Sequence, residues 1–244
     1  MNISPNIENN FKILDGKFYI SEIFQSIQGE GKNSGTNSLF IRFHFCNLRC
    51  KWCDTKYTWT NNGFKEYSKS ELLKIINNSL SKNIIFTGGE PCLYRIDELY
   101  IENKIYQIET NGLFLPNENI DIILPNKIKV QRHEMTKDIY EKYNWVISPK
   151  LEYIKQNIYI EKIKQWNTLP NTIFKFIIQK SQDLDQVEYI KELTYISSEK
   201  IYIGIEGTTL KSQIRPRIVE KIIKKKFNYS PRLQVILWGN ARKK

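Results

Sequence analysis

The sequence contains little histidine and cysteine, and it lacks long apolar runs. Two of its 244 residues are histidine and four are cysteine. No apolar stretch approaches the ~20 residues that a membrane helix needs, and residues 1–15 lack the apolar core of a signal peptide. We therefore expect a cytoplasmic protein without membrane association, in which four cysteines do not indicate a disulfide framework.

Acidic residues are scarce relative to basic ones. The chain has 37 Lys and Arg against 26 Asp and Glu, a formal net charge of +11. Such a balance can indicate nucleic-acid binding, but the lysines are spread along the chain, with short clusters only at 224–226 and 242–244. Solvated surface lysine explains the charge better, and we expect no requirement for nucleic acid. The charge also favours attraction of an acidic electron-donor protein.

Three of the four cysteines lie within eight residues, in a C-x3-C-x2-C pattern formed by Cys46, Cys50 and Cys53. Their clustering indicates a metal site. A closed zinc site takes four ligands, and a typical iron–sulfur cluster is held by four cysteines. A cluster held by three would leave one iron open to bind another molecule. We interpret the fourth cysteine, Cys92, as a small buried hydrophobe; the alternative is a fourth ligand that closes the metal site.

Short apolar segments alternate with helical ones, which predicts an α/β fold with a mainly parallel sheet. Strands are predicted at 17–24, 38–45, 83–86, 105–108, 145–147, 173–178, 201–205 and 233–238. A capping box at Ser68 and Glu71 predicts a helix with an apolar stripe from Leu72 to Leu80, and further helices are predicted at 97–102, 184–195 and 214–226. Polar clusters follow the strand ends, the edge at which parallel sheets build sites. We expect one domain over 1–244 with a polar extension at 1–16.

The segment Thr87-Gly88-Gly89-Glu90-Pro91 follows a predicted strand. Two glycines let backbone approach a ligand closely, and a carboxylate can accept hydrogen bonds from a ligand ammonium. Alone, this segment would be an ordinary strand-to-helix turn. Together with the three cysteines it resembles the radical S-adenosylmethionine (SAM) enzymes. That resemblance implies a [4Fe–4S] cluster whose open iron chelates SAM, which is cleaved by one electron to methionine and a 5′-deoxyadenosyl radical.

Further segments resemble the 7-carboxy-7-deazaguanine synthase family. They are residues 22–31, 40–43, 50–55, Glu109-Thr110-Asn111-Gly112, Ile147-Ser148-Pro149-Lys150 and Leu237-Trp238-Gly239-Asn240. The resemblance implies a partial (reduced) TIM-like barrel of the radical SAM type. It also implies conversion of 6-carboxy-5,6,7,8-tetrahydropterin to 7-carboxy-7-deazaguanine with loss of ammonia, as in queuosine biosynthesis. Mg2+, a homodimer and a flavodoxin- or ferredoxin-like electron donor are further expectations from the family.

The same resemblance assigns roles to particular residues. Cys46, Cys50 and Cys53 would hold the cluster that generates the radical. SAM would be contacted by Trp52, Cys53, Asp54, Gly89, Glu90, Ser148, Pro149 and Lys150. The pterin would be bound by Ile27, Gln28, Gly29, Arg42 and Thr87, with Arg42 on its carboxylate because a planar fork of donors suits that group. Thr55 would bind Mg2+, which prefers oxygen ligands.

Each assignment has an alternative. Arg42 would otherwise be a surface arginine on an edge strand, Thr55 a helix cap, and Trp52 a core residue. The alternative enzyme class is a glycyl-radical-activating enzyme, which acts on a protein and would lack the segment Gln28-Gly29-Glu30-Gly31. The non-enzyme alternative is a small zinc-bound, basic nucleic-acid module, which predicts zinc and no iron. We assign no catalytic role to His44 or His133.

Overall fold

The computed structural model describes residues 12–13, 17–154, 157–239 and 241–244. Its strands are β1 (Lys12–Ile13), β2 (Lys17–Ile27), β3 (Asn37–Phe43), β4 (Lys65–Ser68), β5 (Asn83–Gly88), β6 (Ile105–Thr110), β7 (Ile120–Ile123), β8 (Lys129–Arg132), β9 (Asn144–Ile147), β10 (Thr172–Ile178), β11 (Ile201–Ile205) and β12 (Asn228–Tyr229). Its α-helices are α1 (Lys69–Asn78), α2 (Lys137–Tyr140), α3 (Asn157–Thr168), α4 (Asp183–Thr194), α5 (Leu210–Gln213), α6 (Pro216–Lys224) and α7 (Leu233–Trp238).

Nine of these strands form one sheet, in the order β12-β11-β10-β9-β6-β5-β3-β2-β4. The strands from β3 to β12 in that order are parallel, whereas β2 is antiparallel to both β3 and β4. β1, β8 and β7 form a separate small sheet. The fold is therefore the expected α/β barrel that does not close on itself, with β12 and β4 as its edge strands.

The C-terminal segment crosses the gap between the two sides of the open barrel. The hydroxyl of Ser230, just after β12, accepts a hydrogen bond from the Gly31 amide at 2.8 Å. The Leu233 amide at the start of α7 donates to the Gly29 carbonyl at 3.0 Å. The loop that follows β2 is thus fastened to the C-terminal segment rather than to a further strand.

The two faces of the sheet differ in chemistry because successive side chains of a strand point to opposite sides. Ile41, Phe86, Ile108 and Phe174 belong to the buried apolar core that packs under the helices. Their neighbours along the strands face the inside of the barrel, and several are polar or charged: Arg42, Thr87, Gln107, Glu109 and Lys175. The inner face is therefore the polar face.

Most of the predicted elements are confirmed, including the capping box at Ser68. The prediction of a strand at 233–238 is wrong, because this segment forms α7. A six-residue apolar run fits a strand or a buried helix equally well, and only the C-terminal crossing decides between them. The predicted helix at 97–102 is a short 3-10 turn at Ile96–Leu99. Leu80 lies beyond α1 and is 95% exposed, so the apolar stripe ends earlier than predicted.

No helix in the described parts of the chain is both long and apolar enough to cross a membrane. Part of the predicted N-terminal extension pairs with the rest of the fold, because β1 runs parallel to β8. Residues 1–11 and 14–16 of that extension lie outside the described residues, as does Asn240 of the terminal segment that resembles the synthase family.

Candidate active site

The loops that carry the predicted cofactor residues lie at one edge of the sheet. β3, β5, β6 and β9 are consecutive parallel neighbours, so their carboxyl ends meet at the same edge. The cysteine loop follows β3, the segment Gly88-Gly89-Glu90 ends β5, Asn111 follows β6 and Ser148 follows β9. The prediction that polar clusters after strands assemble at one edge is confirmed for these four loops.

Phe45 directs the chain from β3 into the cysteine loop. Its backbone has a φ of 64°, which is strained for a bulky side chain, and its fully buried ring packs against Tyr19 and Phe64. Its amide donates to the carbonyl of Thr58 at 2.9 Å, which joins the two ends of the loop. This aromatic packing stabilises the strained turn at Phe45. It therefore fixes the position at which the cysteine loop begins.

The three loop cysteines are free thiols that influence one another. The Leu48 amide donates to Cys46 Sγ at 3.4 Å, and the Cys53 amide donates to the Cys50 carbonyl at 3.2 Å. Burial raises the pKa of Cys46 to about 12, with the charges of Glu90 and the other two thiolates adding to the rise. Burial likewise raises the pKa of Cys50 to about 11. Among the described residues, no three His, Cys, Asp or Glu side chains converge as ligands of a single ion do.

Gly88 and Gly89 are required by the backbone beside them. A Cβ on Gly88 would lie 2.2 Å from the Phe43 carbonyl oxygen, and one on Gly89 would lie 1.9 Å from the Phe45 carbonyl oxygen. Gly88 also has a φ of 136°, a conformation that favours glycine. The amides of Gly89 and Glu90 donate to those two carbonyls at 3.0 and 2.8 Å. The two glycines therefore let the segment after β5 pack directly against the backbone that leads into Cys46.

Glu90 is fully buried and connects three segments of the site edge. Its carboxylate accepts hydrogen bonds from the Thr110 hydroxyl at 2.6 Å, the Asn111 amide at 2.8 Å and the Cys92 amide at 2.9 Å. Burial raises its pKa although these bonds oppose the rise. Asn111 in turn donates from Nδ2 to Asn47 Oδ1 at 2.8 Å, so the end of β6 is held against the cysteine loop. Cys92 is fully buried, as predicted.

Lys150 lies beside the cysteine loop. Its Nζ donates to Ser148 Oγ at 2.8 Å and lies 5.4 Å from the centroid of the Trp52 ring. Burial lowers its pKa, while the Cys50 charge raises it. Pro149 between them is buried. The structure thus brings together four residues that the sequence resemblance assigns to SAM.

Thr55 lies next to a cysteine rather than capping a helix. Its Oγ1 is 3.4 Å from Cys53 Sγ, and its amide also donates to that sulfur at 3.4 Å. It precedes the 3-10 turn Lys56–Trp59, but its side chain makes no capping hydrogen bond. The alternative interpretation of Thr55 as a cap is therefore wrong. Asp54 forms an ion pair with Arg232 from the C-terminal segment.

Two of the predicted pterin residues, Gln28 and Thr87, contact Glu109 on the inner face. Gln28 Nε2 donates to Glu109 Oε1 at 3.1 Å, and Thr87 Oγ1 donates to Glu109 Oε2 at 3.0 Å. Gln28 reaches this point from the opposite edge of the sheet, because it follows the antiparallel strand β2, which ends at Ile27. Its backbone amide and carbonyl bond within its own loop, to Thr36 and Gly35.

Arg42 is not a surface residue on an edge strand. Its strand, β3, lies between β2 and β5, and Arg42 pairs across β3 and β5 with Thr87. Its Nε donates to Glu22 Oε2 at 2.9 Å, and its side chain is only 18% exposed. The alternative interpretation of Arg42 is therefore wrong, and the residue belongs to the same inner face as Thr87.

Sequence reasoning missed a buried ion-pair network on this face. Lys175 Nζ lies 2.8 Å from Glu30 Oε2 and 4.0 Å from Glu109 Oε1, and Arg232 Nε lies 3.1 Å from Glu30 Oε1. Burial disfavours charge on Glu30, but Lys175 and Arg232 hold its pKa well below its usual range. A usable signal was present, because Lys175 interrupts the apolar strand β10, and a charge inside a buried strand requires a partner.

Arg232 extends this network to the cysteine loop. Besides contacting Glu30 and Asp54, its Nη1 donates to the Gly207 carbonyl at 2.9 Å. Burial lowers the pKa of Arg232, but the charges of Glu30 and Asp54 raise it more. The guanidinium therefore joins the loop after β2, the cysteine loop and the loop after β11. The loop after β11 is held at this junction through the Gly207 carbonyl.

A model of the radical SAM superfamily matches residues 40–240. The match contains the cysteine loop and all the parallel strands of the nine-stranded sheet, apart from the first residues of β3. The open barrel and the three-thiol loop are therefore those of a radical SAM protein.

Individual relatives of the chain indicate which family of the superfamily it belongs to. The chain is 42% identical over 125 residues to the 7-carboxy-7-deazaguanine synthase of Haemophilus influenzae, a match that covers 49% of this chain and 57% of that protein. It is 34% identical over 190 residues to the synthase of Buchnera aphidicola, covering 67% of this chain and 86% of that protein. The crystal structure of QueE from Escherichia coli superposes with a TM-score of 0.63 at 21% identity, covering 88% of this chain and 93% of that one, and so supports the fold. The chain belongs to the 7-carboxy-7-deazaguanine synthase family of the radical SAM superfamily.

Membership of this superfamily implies a [4Fe–4S] cluster and SAM, and the three thiols of the cysteine loop fit the cluster. Three free thiols on one loop provide the soft ligands that iron–sulfur clusters take. Burial and mutual repulsion oppose three thiolates at this place, which is the condition that bound iron relieves. When bound, the two groups supply the reductive cleavage that yields the reactive radical. The chain itself supplies the thiol ligands and the surrounding side chains that would orient the cluster and SAM.

Proposed function

We propose that this protein converts 6-carboxy-5,6,7,8-tetrahydropterin to 7-carboxy-7-deazaguanine with loss of ammonia, as in queuosine biosynthesis. The observation that carries the proposal is the convergence of Gln28, Arg42 and Thr87 on one polar inner face, with Glu109 at its centre. Arg232 links this face to the cysteine loop through Glu30 and Asp54. Substrate and cofactor groups would therefore lie in one continuous site.

The chemistry of the inner face suits a carboxylated pterin. Glu109 offers two carboxylate oxygens to the adjacent N–H groups of the pterin ring, a bidentate arrangement that favours such an edge. Gln28 and Thr87, which now donate to Glu109, would turn their groups to the ring when it binds. Arg42 supplies the positive fork for the substrate carboxylate. Ile27 and Gly29 complete this proposed pocket from the end of β2.

The proposed cofactor residues surround the cysteine loop. Cys46, Cys50 and Cys53 would hold the cluster, and the side of the loop with Trp52, Ser148, Pro149 and Lys150 would hold SAM, together with Asp54, Gly89 and Glu90. Glu90 would lie near SAM without a hydrogen bond to it, because its carboxylate already accepts hydrogen bonds from three groups of the protein. We also propose Thr55 as the Mg2+ ligand, because its hydroxyl lies 3.4 Å from Cys53 Sγ and its neighbour Asp54 pairs with Arg232, which contacts Glu30 of the inner-face network.

We further propose the properties that the family suggests for the whole protein. These are one domain over residues 1–244, a homodimer, a flavodoxin- or ferredoxin-like electron donor and a cytoplasmic location. The free thiols are consistent with a reducing compartment. The net charge of +11 is consistent with an acidic electron donor.

Anaerobic turnover tests the function. The protein would be purified anaerobically, assayed for iron and sulfide, and then incubated with reductant, SAM, Mg2+ and 6-carboxytetrahydropterin. We expect about four irons and four sulfides per chain and a product with the mass of 7-carboxy-7-deazaguanine. The matched control is 5,6,7,8-tetrahydropterin, which lacks only the 6-carboxylate and should yield no 7-carboxy-7-deazaguanine.

The same preparation separates the alternatives. A glycyl-radical-activating enzyme would contain the cluster but form no deazaguanine, so an intact cluster without product would reject the proposed reaction and leave the superfamily assignment standing. A zinc-bound module would contain zinc without iron or sulfide. That metal content would reject both enzyme interpretations.

A further inference from the structure

Glu22 on β2 is a buried carboxylate with four donors. Its Oε2 accepts hydrogen bonds from Arg42 Nε and from the Tyr57 hydroxyl, both at 2.9 Å. Its Oε1 accepts two more from Arg242, from Nε at 2.9 Å and from Nη2 at 2.5 Å. The side chain of Glu22 is 1% exposed. A buried carboxylate with every acceptor position used is fixed in orientation.

The bond from Glu22 determines which edge of Arg42 is available. Arg42 uses Nε for Glu22, and in the described parts of the chain its two Nη groups have no acceptor. Its Cζ lies 5.9 Å from the centroid of Phe24, and that ring stacks on Phe40 at 5.1 Å. The guanidinium is therefore held at its Nε side and against an aromatic face. The pair of Nη groups, the edge that binds a carboxylate bidentately, stays available.

Arg242 adds a second positive charge to the same carboxylate. It comes from the C-terminal tail, its side chain is 60% exposed, and its Cζ lies 4.0 Å from the centroid of the Tyr57 ring. One carboxylate thus faces two guanidinium groups, so the cluster has a net charge of +1. Burial opposes ionisation of Glu22, but the bonds from Arg242, Arg42 and Tyr57 lower its pKa and keep it charged.

We propose that Glu22 and Arg242 are positioning residues that orient Arg42 and make its surroundings net positive, so that the site selects the carboxylated substrate. Glu22 holds Arg42 by Nε, and Arg242 offsets the negative charge that Glu22 would otherwise place beside the substrate carboxylate. The inference rests on the proposed function, because it takes Arg42 as the group that binds this carboxylate. It assigns the C-terminal tail a part in substrate selection.

A comparison of two ligands measures this selection without turnover. The probes are 6-carboxypterin and pterin, whose intrinsic fluorescence reports binding to the anaerobic holoenzyme with SAM and Mg2+ present. The ratio of their dissociation constants isolates the contribution of the carboxylate. We expect Arg242→Ala to lower the preference for 6-carboxypterin about tenfold, which is about 1.4 kcal/mol. Glu22→Gln raises the charge of the cluster but removes the charged acceptor that fixes Arg42 Nε, and we expect the loss of orientation to dominate and to lower the preference about threefold. The affinity for pterin should stay within about twofold of wild type.

Three further variants separate positioning from general effects. Lys244→Ala removes the same charge from the same exposed tail without a contact to Glu22 in the described residues, and it should keep the wild-type preference. Arg242→Lys keeps the charge and loses the fork, so it should restore part of the preference. Tyr57→Phe removes one bond to Glu22 and should have a smaller effect than Glu22→Gln.

Each outcome is decisive. An unchanged preference in Arg242→Ala, or an unchanged or raised preference in Glu22→Gln, would overturn the positioning role. Equal losses in Arg242→Ala and Lys244→Ala would overturn it in favour of long-range charge. A wild-type protein that binds the two probes equally would instead contradict the assignment of Arg42, and with it the proposed substrate. Arg242 is exposed, so its variants keep the test valid if Glu22→Gln does not fold.

Discussion

Replacing Lys175 by methionine tests whether the buried network on the inner face holds the loop after β2. Lys175 Nζ lies 2.8 Å from Glu30 Oε2, and the two side chains are only 8% and 13% exposed. Methionine preserves most of the volume and removes the charge, which leaves Glu30 and Glu109 with fewer cations. Removing one partner of a buried pair costs about 3 to 5 kcal/mol. Because Arg232 and Gln234 still contact Glu30, we expect the lower end, about 3 kcal/mol.

The assay is denaturant unfolding, followed by circular dichroism, with thermal unfolding as a second measure. For a chain of this size, about 3 kcal/mol corresponds to a decrease in Tm of about 6 to 12 °C. The matched control is Lys17→Met, which breaks an ion pair of 2.7 Å to Glu66 whose side chains are 57% and 45% exposed. An exposed pair contributes at most about 1 kcal/mol. Equal effects of the two substitutions would refute the reasoning from burial.

The pH dependence of the Lys175 effect has a defined sign. The pKa of Glu30 is held below its ordinary value, so its contribution is present above about pH 4 and is lost as the pH falls through the folded-state pKa. Burial disfavours the charge of Lys175, but Glu109 and Glu30 raise its pKa, so its contribution is lost only above about pH 10. The difference between wild type and Lys175→Met should be nearly constant from about pH 5 to 9. A steep change within that window would contradict the ion-pair explanation.

Three further predictions concern the cysteine loop. Cys50→Ala should lose iron and activity together, whereas Cys92→Ala, which changes a buried thiol outside the loop, should retain about four irons per chain. Gly89→Ala should destabilise the protein by about 2 to 3 kcal/mol in urea unfolding, since its Cβ would overlap a facing carbonyl; a loss below about 0.5 kcal/mol would contradict this packing. Thr55→Val should raise the Mg2+ concentration needed for half-maximal turnover at least about tenfold, about 1.4 kcal/mol, and Thr60→Val should not.

The sequence predicts the frame of this protein well because its strands have regular signals. The parallel strands β5, β6, β10 and β11 are short apolar runs followed by polar residues, and that pattern places their loops at one edge. The cysteine spacing and the GGEP segment then identify the class of cofactor. These features are local in the chain, so a single sequence suffices to find them.

The sequence does not predict the long-range contacts that complete the site. Arg232 contacts Glu30 from more than 200 residues away, and Arg242 contacts Glu22 across a similar separation. Nothing in the local pattern of the C-terminal segment indicates these partners, and its apolar run suggests a strand where the chain forms α7. The positions follow only from the open barrel, whose gap this segment crosses.

An anaerobic crystal structure of the cluster-bearing protein with SAM and 6-carboxytetrahydropterin tests the proposed site most directly. We predict that the pterin lies on the inner face, with its ring at Glu109 and Thr87 and its carboxylate about 2.9 Å from the Nη groups of Arg42. We also predict that Cys46, Cys50 and Cys53 hold the cluster. A pterin bound outside the inner face, or a carboxylate without contact to Arg42, would contradict the proposed site.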